Sequence, residues 1–160
     1  PWAILHGLTE TGITLFKLEE GVDTGPIAGQ VRIPLTETTN ASDLYSKVER
    51  AHADLMRMVV PNLVSDTVMW VSQDESQASY WPGRTPEDGR IDNKGSVWQA
   101  ERLVRAVAGP YPGAFIEDDR GRTVIWSAKV HSARPGVPCL EFPDGFLEPL
   151  ESSFFPRTNG

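Results

Sequence analysis

The alternation of apolar and polar residues predicts two successive strands near the start of the chain. The first runs from Ile13 to Leu18 and the second from Ile27 to Ile33, where the odd-numbered apolar residues share one face. The connection between them, residues 19–26, is rich in glycine, acidic residues and proline, which are typical of turns. We therefore expect two strands joined by a turn that contains an acid, Asp23.

From Asn40 the apolar residues recur at three- and four-residue spacing. With Asn40 as N-cap and Asp43 in the first turn, this pattern predicts an amphipathic helix to about Pro61. A short apolar stretch, Thr67 to Val71, predicts one more strand. The apolar stripe of the helix consists of Leu44, Val48, Ala51, Leu55 and Val59.

The second half begins with a capped helix. Ser96 followed by Gln99 is a capping box, and Gly109-Pro110 ends the pattern. Strands are then predicted over 114–117 and 123–130, with a hairpin turn at 119–121, followed by shorter runs near Leu140 and Phe146. The helix stripe is Val97, Ala100, Val104 and Val107, and the even positions from Val124 to Val130 should share one face. This pattern predicts one helix on a small antiparallel sheet or open barrel.

Composition limits the class of protein. The 160 residues are 39% hydrophobic and 23% charged, which fits one ordinary domain or two small ones. No apolar run approaches the length of a membrane span, and no signal peptide opens the sequence. A single cysteine, Cys139, forms no internal disulfide, and three histidines form no zinc-type cluster. We expect a cytoplasmic protein without a metal.

The net charge of the chain is negative, and most of it lies in residues 1–90. The net charge is -7; residues 1–90 carry 7 basic and 13 acidic groups, whereas residues 91–160 carry 8 and 9. Nucleic-acid binding depends on basic side chains that neutralise phosphates, so a DNA or RNA partner is disfavoured.

Three motifs carry a family resemblance. Glu10-Thr11-Gly12-Ile13-Thr14, then the run from Gly21 to Ile27 ending at Gln30, resembles the active-site strand-loop-strand of enzymes that use 10-formyltetrahydrofolate. The run from Arg84 to Asp92 resembles the linker of their two-domain members. Arg105-Ala106-Val107 followed by the run from Pro110 to Phe115 resembles the entry to their C-terminal domain. The family comprises methionyl-tRNA formyltransferase, sugar-nucleotide N-formyltransferases and relatives.

The resemblance implies an α/β fold in two domains. Residues 1–71 would be the C-terminal part of a Rossmann-like catalytic domain, 72–90 a linker, and 91–160 a small β-rich, OB-like open-barrel domain with one leading helix. The family's catalytic Asn and His lie on a segment ending in Leu-Leu-Pro, just before the position of Pro1. We therefore expect this sequence to be the C-terminal portion of a formyltransferase.

The same resemblance assigns the site residues. Asp23 would keep a neighbouring imidazole protonated or accept the amine proton, and Gly21 and Val22 would form the wall for the pterin of 10-formyltetrahydrofolate. The residues alone leave another interpretation open, because an Asp beside Gly25 also stabilises a turn through its own side chain. Glycine likewise suits any tight turn.

Two aromatic residues, Tyr80 and Trp81, stand in the polar connection. Packing against a flanking domain is the favoured interpretation, and stacking on the substrate is the alternative. His52 and His131 are interpreted as edge or solvated side chains. Arg102 and Arg105 are interpreted as a solvated helix face or as charges that suit the C-terminal end of the helix dipole.

The charge of residues 91–160 favours one class of formyl acceptor over another. Residues 91–160 lack the positive surface that a tRNA would need, so a nucleotide-linked amino sugar is the favoured substrate and initiator tRNA the alternative. A hypothesis of another class is a non-catalytic binding or dimerisation module. Sugar-modifying members often pair through their C-terminal domains, which makes a homodimer one option.

Overall fold

A computed structural model describes residues 1–157 of the chain. The helices are α1 (Trp2–Leu5), α2 (Ala41–Val64) and α3 (Val97–Ala106), with short 3-10 turns at Glu75–Gln77 and Pro86–Gly89. The strands are β1 (Glu10–Phe16), β2 (Ile27–Pro34), β3 (Ala114–Asp118), β4 (Gly121–His131), β5 (Leu140–Phe142) and β6 (Gly145–Pro156). This mixture of helices and two antiparallel sheets confirms the predicted α/β class.

The chain forms two compact units. The hairpin unit consists of Thr9–Thr36 and Leu44–Pro82. The sheet unit consists of Pro1–Leu8, Glu37–Asp43 and Gly83–Gly160, of which 158–160 lie outside the described residues.

The hairpin unit is built on the antiparallel pair β1 and β2. Their register runs from Glu10 opposite Pro34 to Phe16 opposite Ile27, and the two strands themselves were predicted from the sequence. Helix α2 packs closely on β2 at Gly29, where a Cβ would lie 2.7 Å from Val59 Cγ2. The apolar stripe of α2 turns toward this sheet, as the burial of Ala51, Leu55 and Val59 shows.

Two elements of the hairpin unit differ from the prediction made from the sequence. Helix α2 was predicted to end near Pro61, but it continues to Val64. Pro61 lacks only its own N–H group, and its carbonyl still accepts a hydrogen bond from Ser65 N (3.1 Å), so the last turn forms. The predicted strand from Thr67 to Val71 is wrong. Val71 alone forms a bridge with Ile27, and Met69 is 87% exposed, so little burial supports a longer ladder.

The sheet unit contains a four-stranded antiparallel sheet with the order β3-β4-β6-β5. Its core lies between this sheet and α3, which presents the predicted apolar stripe. The most deeply buried side chains are Val97, Val104, Phe115, Ile125 and Leu147. A leading helix on a small β-rich sheet is the predicted C-terminal arrangement.

Helix α3 begins with a double cap. Ser96 and Gln99 form the predicted capping box. In addition, the Asp144 carboxylate in the turn between β5 and β6 accepts from Val97 N (2.8 Å) and Ser96 Oγ (2.7 Å). These donors, the Val97 amide first, lower the pKa of Asp144. The cap therefore ties the start of α3 to the β5-β6 turn.

Strand β4 departs from simple alternation. The register with β6 slips between Ile125 and Ser127 and again before Ala128, which is the signature of a β-bulge. Val124 and Ile125, which precede the slip, are both buried, so burial does not alternate along β4. The side chains of Val124 and Trp126 both lie beside Gly113, as the predicted face of even positions requires, and the slip interrupts this face before Ala128. The run predicted near Phe146 is also much longer, because β6 pairs with β4 over its whole length.

The segment around Pro86–Gly89 is anchored on the sheet unit. Arg90 bonds Glu117 at 2.7 Å, and Ile91 N donates to the Phe115 carbonyl at 2.8 Å. Arg122 bonds Glu87 at 2.9 Å. Residues from 83 onward therefore belong to the sheet unit, whereas the predicted linker was 72–90 and the predicted domains 1–71 and 91–160. The compact units of the chain thus follow other boundaries, and those domain limits stay a prediction for the whole protein.

The described residues include no helix that is both long and apolar enough to cross a membrane.

Leu147 is predicted to be a major contributor to the stability of the sheet unit. Its side chain is fully buried, so Leu147→Ala should lower the free energy of unfolding by about 2–5 kcal/mol. Urea denaturation followed by tryptophan fluorescence measures this change. The matched control is Leu150→Ala in the same strand, because Leu150 is 59% exposed. That control should change stability by about 0.5 kcal/mol or less. Equal losses for the two variants would contradict the core described above.

Candidate active site

The candidate site is the loop that joins β1 to β2, residues 17–26, here named the Asp23 loop. Its base is closed by a bond from Lys17 N to the Pro26 carbonyl (2.9 Å). Below it, Gln30 Nε2 donates to Thr14 Oγ1 (3.0 Å) across the two strands. The strand register therefore fixes both ends of the loop.

Glycine is required inside this loop. A Cβ on Gly25 would overlap the carbonyl oxygen of Lys17, which is a backbone atom that cannot turn away. A Cβ on Gly21 would collide with the side chain of Thr24. The loop thus folds back on its own backbone at a distance that only glycine allows.

Asp23 has a left-handed backbone conformation and an exposed side chain. Its φ is +58°, a conformation about 1–2 kcal/mol less favourable for most residues but tolerated by Asp and Asn. Within residues 1–157 its carboxylate forms no hydrogen bond and no ion pair. The Asx-type turn that the sequence left open is therefore not formed, and the carboxylate is available to a ligand or to another group.

Gln73 contacts the loop from the segment after α2. Its Nε2 donates to the backbone carbonyls of Asp23 and Gly25, both at 2.7 Å. Each such bond contributes on the order of 1 kcal/mol, similar in size to the cost of the left-handed residue. Sequence reasoning missed Gln73. No local pattern in the sequence indicates this contact, because it follows from the pairing of Val71 with Ile27: two residues further along this antiparallel pair, Gln73 lies opposite Gly25.

The outer surface of the loop is apolar and carries unpaired peptide groups. Leu18 is 85% exposed and Val22 is 83% exposed. The peptide groups of Gly21 and Val22 form no hydrogen bond with another residue in the described part of the chain. The structure thus brings Gly21, Val22 and Asp23, three of the predicted site residues, into one exposed loop.

Tyr80 and Trp81 follow the 3-10 turn at Glu75–Gln77. Tyr80 is 80% exposed, so its predicted packing against a flanking domain is wrong. Trp81 exposes 51% of its surface. No hydrogen bond or ring contact connects Tyr80 with the Asp23 loop among residues 1–157. The structure therefore gives these rings an accessible surface but not a shared site with Asp23.

Two other side chains differ from their sequence interpretation. His131 is half-buried, and its Nε2 lies 2.6 Å from Glu148 Oε2. Arg105 is also half-buried, since it forms a two-point pair with Glu101 and donates to the Thr39 carbonyl at 3.0 Å. His131 was interpreted as an edge or solvated side chain, and Arg105 as part of a solvated face or as a charge that suits the C-terminal end of the helix dipole. The structure gives each of them a carboxylate partner. No group of His, Cys, Asp and Glu suited to a metal occurs among residues 1–157.

Gly25 is predicted to be intolerant of a side chain. Gly25→Ala should lower the free energy of unfolding by about 1–3 kcal/mol, because the added methyl overlaps backbone. Chemical denaturation measures this loss. Gly83→Ala is the matched control, since a Cβ at Gly83 meets no atom within 4 Å. We expect that control to be neutral or slightly stabilising. Wild-type stability of Gly25→Ala would contradict the loop conformation.

Comparison with known proteins identifies the family. Residues 1–60 match the family model described as formyl transferase, and residues 84–141 match the model described as formyl transferase, C-terminal domain.

Solved structures share the fold at low sequence identity. HypX from Aquifex aeolicus in complex with tetrahydrofolic acid is 19% identical with a TM-score of 0.73, over 97% of this chain and 30% of that one. Methionyl-tRNA formyltransferase from Clostridium thermocellum is 20% identical with a TM-score of 0.68, over 97% and 60%. The N-formyltransferase from Helicobacter canadensis in complex with folinic acid and dTDP-3-aminofucose is 20% identical with a TM-score of 0.72, over 91% and 56%.

The chain therefore spans from about a third to three fifths of the length of these proteins. The two family models match successive segments, in the order in which the sequence motifs occur. On this evidence the chain belongs to the formyl transferase family.

Proposed function

We propose that this chain takes part in the transfer of a formyl group from 10-formyltetrahydrofolate to the amine of a nucleotide-linked amino sugar. The observation that carries the proposal is the exposed, unpartnered carboxylate of Asp23 on a glycine-constrained loop. This loop lies within the segment that matches the formyl transferase model.

The Asp23 loop is suited to a pterin. A planar ring of this kind needs an apolar surface for its face and hydrogen-bonding groups for its edge. Val22 and Leu18 offer apolar surface, and the peptide groups of Gly21 and Val22 are free to bond. HypX, which shares this fold, has been solved with tetrahydrofolic acid.

Formyl transfer places clear demands on the protein. A neutral amine attacks the formyl carbon and gives up one proton, and the bond from that carbon to the folate nitrogen breaks as the folate nitrogen takes up a proton, so that no net proton is released. The bound formylfolate supplies the activated one-carbon unit. The protein must orient the amine, stabilise the negative charge that develops on the formyl oxygen, and provide an acceptor for the proton.

Asp23 meets the demand for a proton acceptor. Its carboxylate is accessible, and the side chain has no competing partner among the described residues. It accepts the amine proton directly or through one water molecule. The family resemblance assigns an Asn and a His to a segment outside these 160 residues, and a carboxylate near such an imidazole favours its charged form.

Charge favours a sugar nucleotide over tRNA as the acceptor. Most arginines after residue 91 are paired with carboxylates, which offset the positive charge that a polyanion such as tRNA would require. The pairs are Arg105 with Glu101, Arg120 with Asp118, Arg122 with Glu87 and Glu117, and Arg134 with Glu141. A nucleoside diphosphate needs only a few cations and a ring to stack on its base, and Tyr80 and Trp81 offer exposed rings.

Replacing the Asp23 carboxylate should abolish most of the activity. Asp23→Asn in the full-length protein should lower kcat by about 100-fold or more, because an amide does not accept a proton. The fold should survive, since Asn tolerates the same left-handed backbone. Steady-state formylation assays measure kcat.

Asp66→Asn is the matched control for this variant. Asp66 has nearly the same backbone conformation, with φ of +56° against +58°, and lies at the end of α2. Its replacement should leave kcat unchanged. Near-normal turnover of Asp23→Asn would refute the assignment of Asp23.

Direct comparison of acceptors tests the substrate class. We expect kcat/KM for a dTDP- or UDP-linked amino sugar to exceed that for charged initiator methionyl-tRNA by at least about 100-fold. Quantitative formylation with 10-formyltetrahydrofolate and each acceptor, at fixed ionic strength, provides the measurement. The reverse preference would assign the protein to methionyl-tRNA formylation.

A further inference from the structure

A single side-chain atom of Gln73, Nε2, donates hydrogen bonds to two backbone carbonyls of the Asp23 loop. Its Nε2 carries two hydrogens, and the nitrogen lies 2.7 Å from each of two carbonyl oxygens, those of Asp23 and Gly25. These carbonyls flank Thr24. The side chain therefore fixes the orientation of the backbone immediately after the Asp23 Cα.

The backbone brings Gln73 to this position. Val71 and Ile27 exchange two backbone hydrogen bonds of 2.7 and 3.0 Å, so the segment after α2 begins to run antiparallel to β2. Two residues further on, the backbone pairing has ended, and the side-chain amide of Gln73 donates to the opposite strand's loop in its place. Gln73 is half-buried, whereas Ser72 and Asp74 on either side of it are exposed. This burial distinguishes Gln73 from the rest of its segment.

The direction of the Asp23 carboxylate depends on this contact. The Cα–Cβ bond of a residue points where its φ and ψ direct it, and Asp23 has a left-handed φ of +58°. Its carboxylate has no partner of its own among residues 1–157. The backbone therefore sets the direction of the Asp23 Cα–Cβ bond, from which the carboxylate extends in one of a few staggered χ1 rotamers, and Gln73 bonds the carbonyl of that same residue.

We propose that Gln73 is a positioning residue that acts through Asp23. It holds the left-handed loop in the conformation that presents the carboxylate to the reacting amine. This inference rests on the proposed role of Asp23 in formyl transfer. Gln73 itself does not touch the reacting atoms.

The first test removes the two donors. Gln73→Leu keeps a side chain of similar size, and in the full-length protein it should lower kcat about tenfold while KM for both substrates changes little. Gln73→Glu is the second variant, because it retains the shape but sets carboxylate oxygens against two carbonyl oxygens. It should lower kcat by at least as much.

Gln77→Leu is the matched control. Gln77 lies four residues further along, and its amide has only a 3.5 Å contact with Ser76 Oγ. We expect wild-type kcat for this variant. Equal losses of kcat in Gln77→Leu and Gln73→Leu would overturn the inference.

A double-mutant cycle separates positioning from a general structural role. If Gln73 acts through Asp23, Gln73→Leu added to Asp23→Asn should cause no further loss of kcat. A further tenfold loss in the double variant would show that Gln73 acts independently of Asp23. Wild-type kcat for both Gln73 variants would also overturn the inference.

The same cycle distinguishes the two proposals. If Asp23→Asn is nearly as active as the wild type, the assignment of Asp23 fails and the inference on Gln73 fails with it. If Asp23→Asn loses about 100-fold but the Gln73 variants lose nothing, the role of Asp23 stands and only the positioning role fails.

Discussion

The close approach of Gly25 to the Lys17 carbonyl is the constraint on which the candidate site depends. It lets the chain turn back within ten residues, between the end of β1 and the start of β2. That reversal forces one residue, Asp23, into a left-handed conformation, and its side chain then projects from the loop without a partner in the described residues. A conformational cost is thus localised at the residue with the most useful chemistry, as in many functional loops.

The two units of the chain use polar groups in different ways. In the sheet unit most charged groups are committed to structure: Asp144 caps α3, and Arg105 joins Glu101 to the Thr39 carbonyl. In the hairpin unit the Asp23 carboxylate is left unpaired, while Gln73 bonds only backbone atoms. The first arrangement uses charged groups to hold the fold together, and the second leaves one carboxylate accessible.

The sequence predicted what periodicity and turn chemistry determine. The strand pair, helix α2, helix α3 with its capping box, and the β3-β4 hairpin all follow from local patterns. Hydrogen bonds between residues far apart in the sequence were not predictable, because no local pattern indicates that Asp144 accepts from Val97 N or that Gln73 donates to the Asp23 carbonyl. The bulge in β4 is another such case, since a register slip depends on the partner strand. The role proposed for Asp23 came from a family resemblance and not from the residue itself.

The sheet unit is assembled from three separated stretches of chain, with the parts of the hairpin unit inserted between them. The early stretches, Pro1–Leu8 and Glu37–Asp43, leave the ribosome well before α3 and the four-stranded sheet are synthesised. Their native partners do not yet exist, and each intervening segment must close as a loop before those contacts form. All of the residues of the hairpin unit within this sequence precede residue 83, so their mutual contacts can form during synthesis before the four-stranded sheet of the other unit exists.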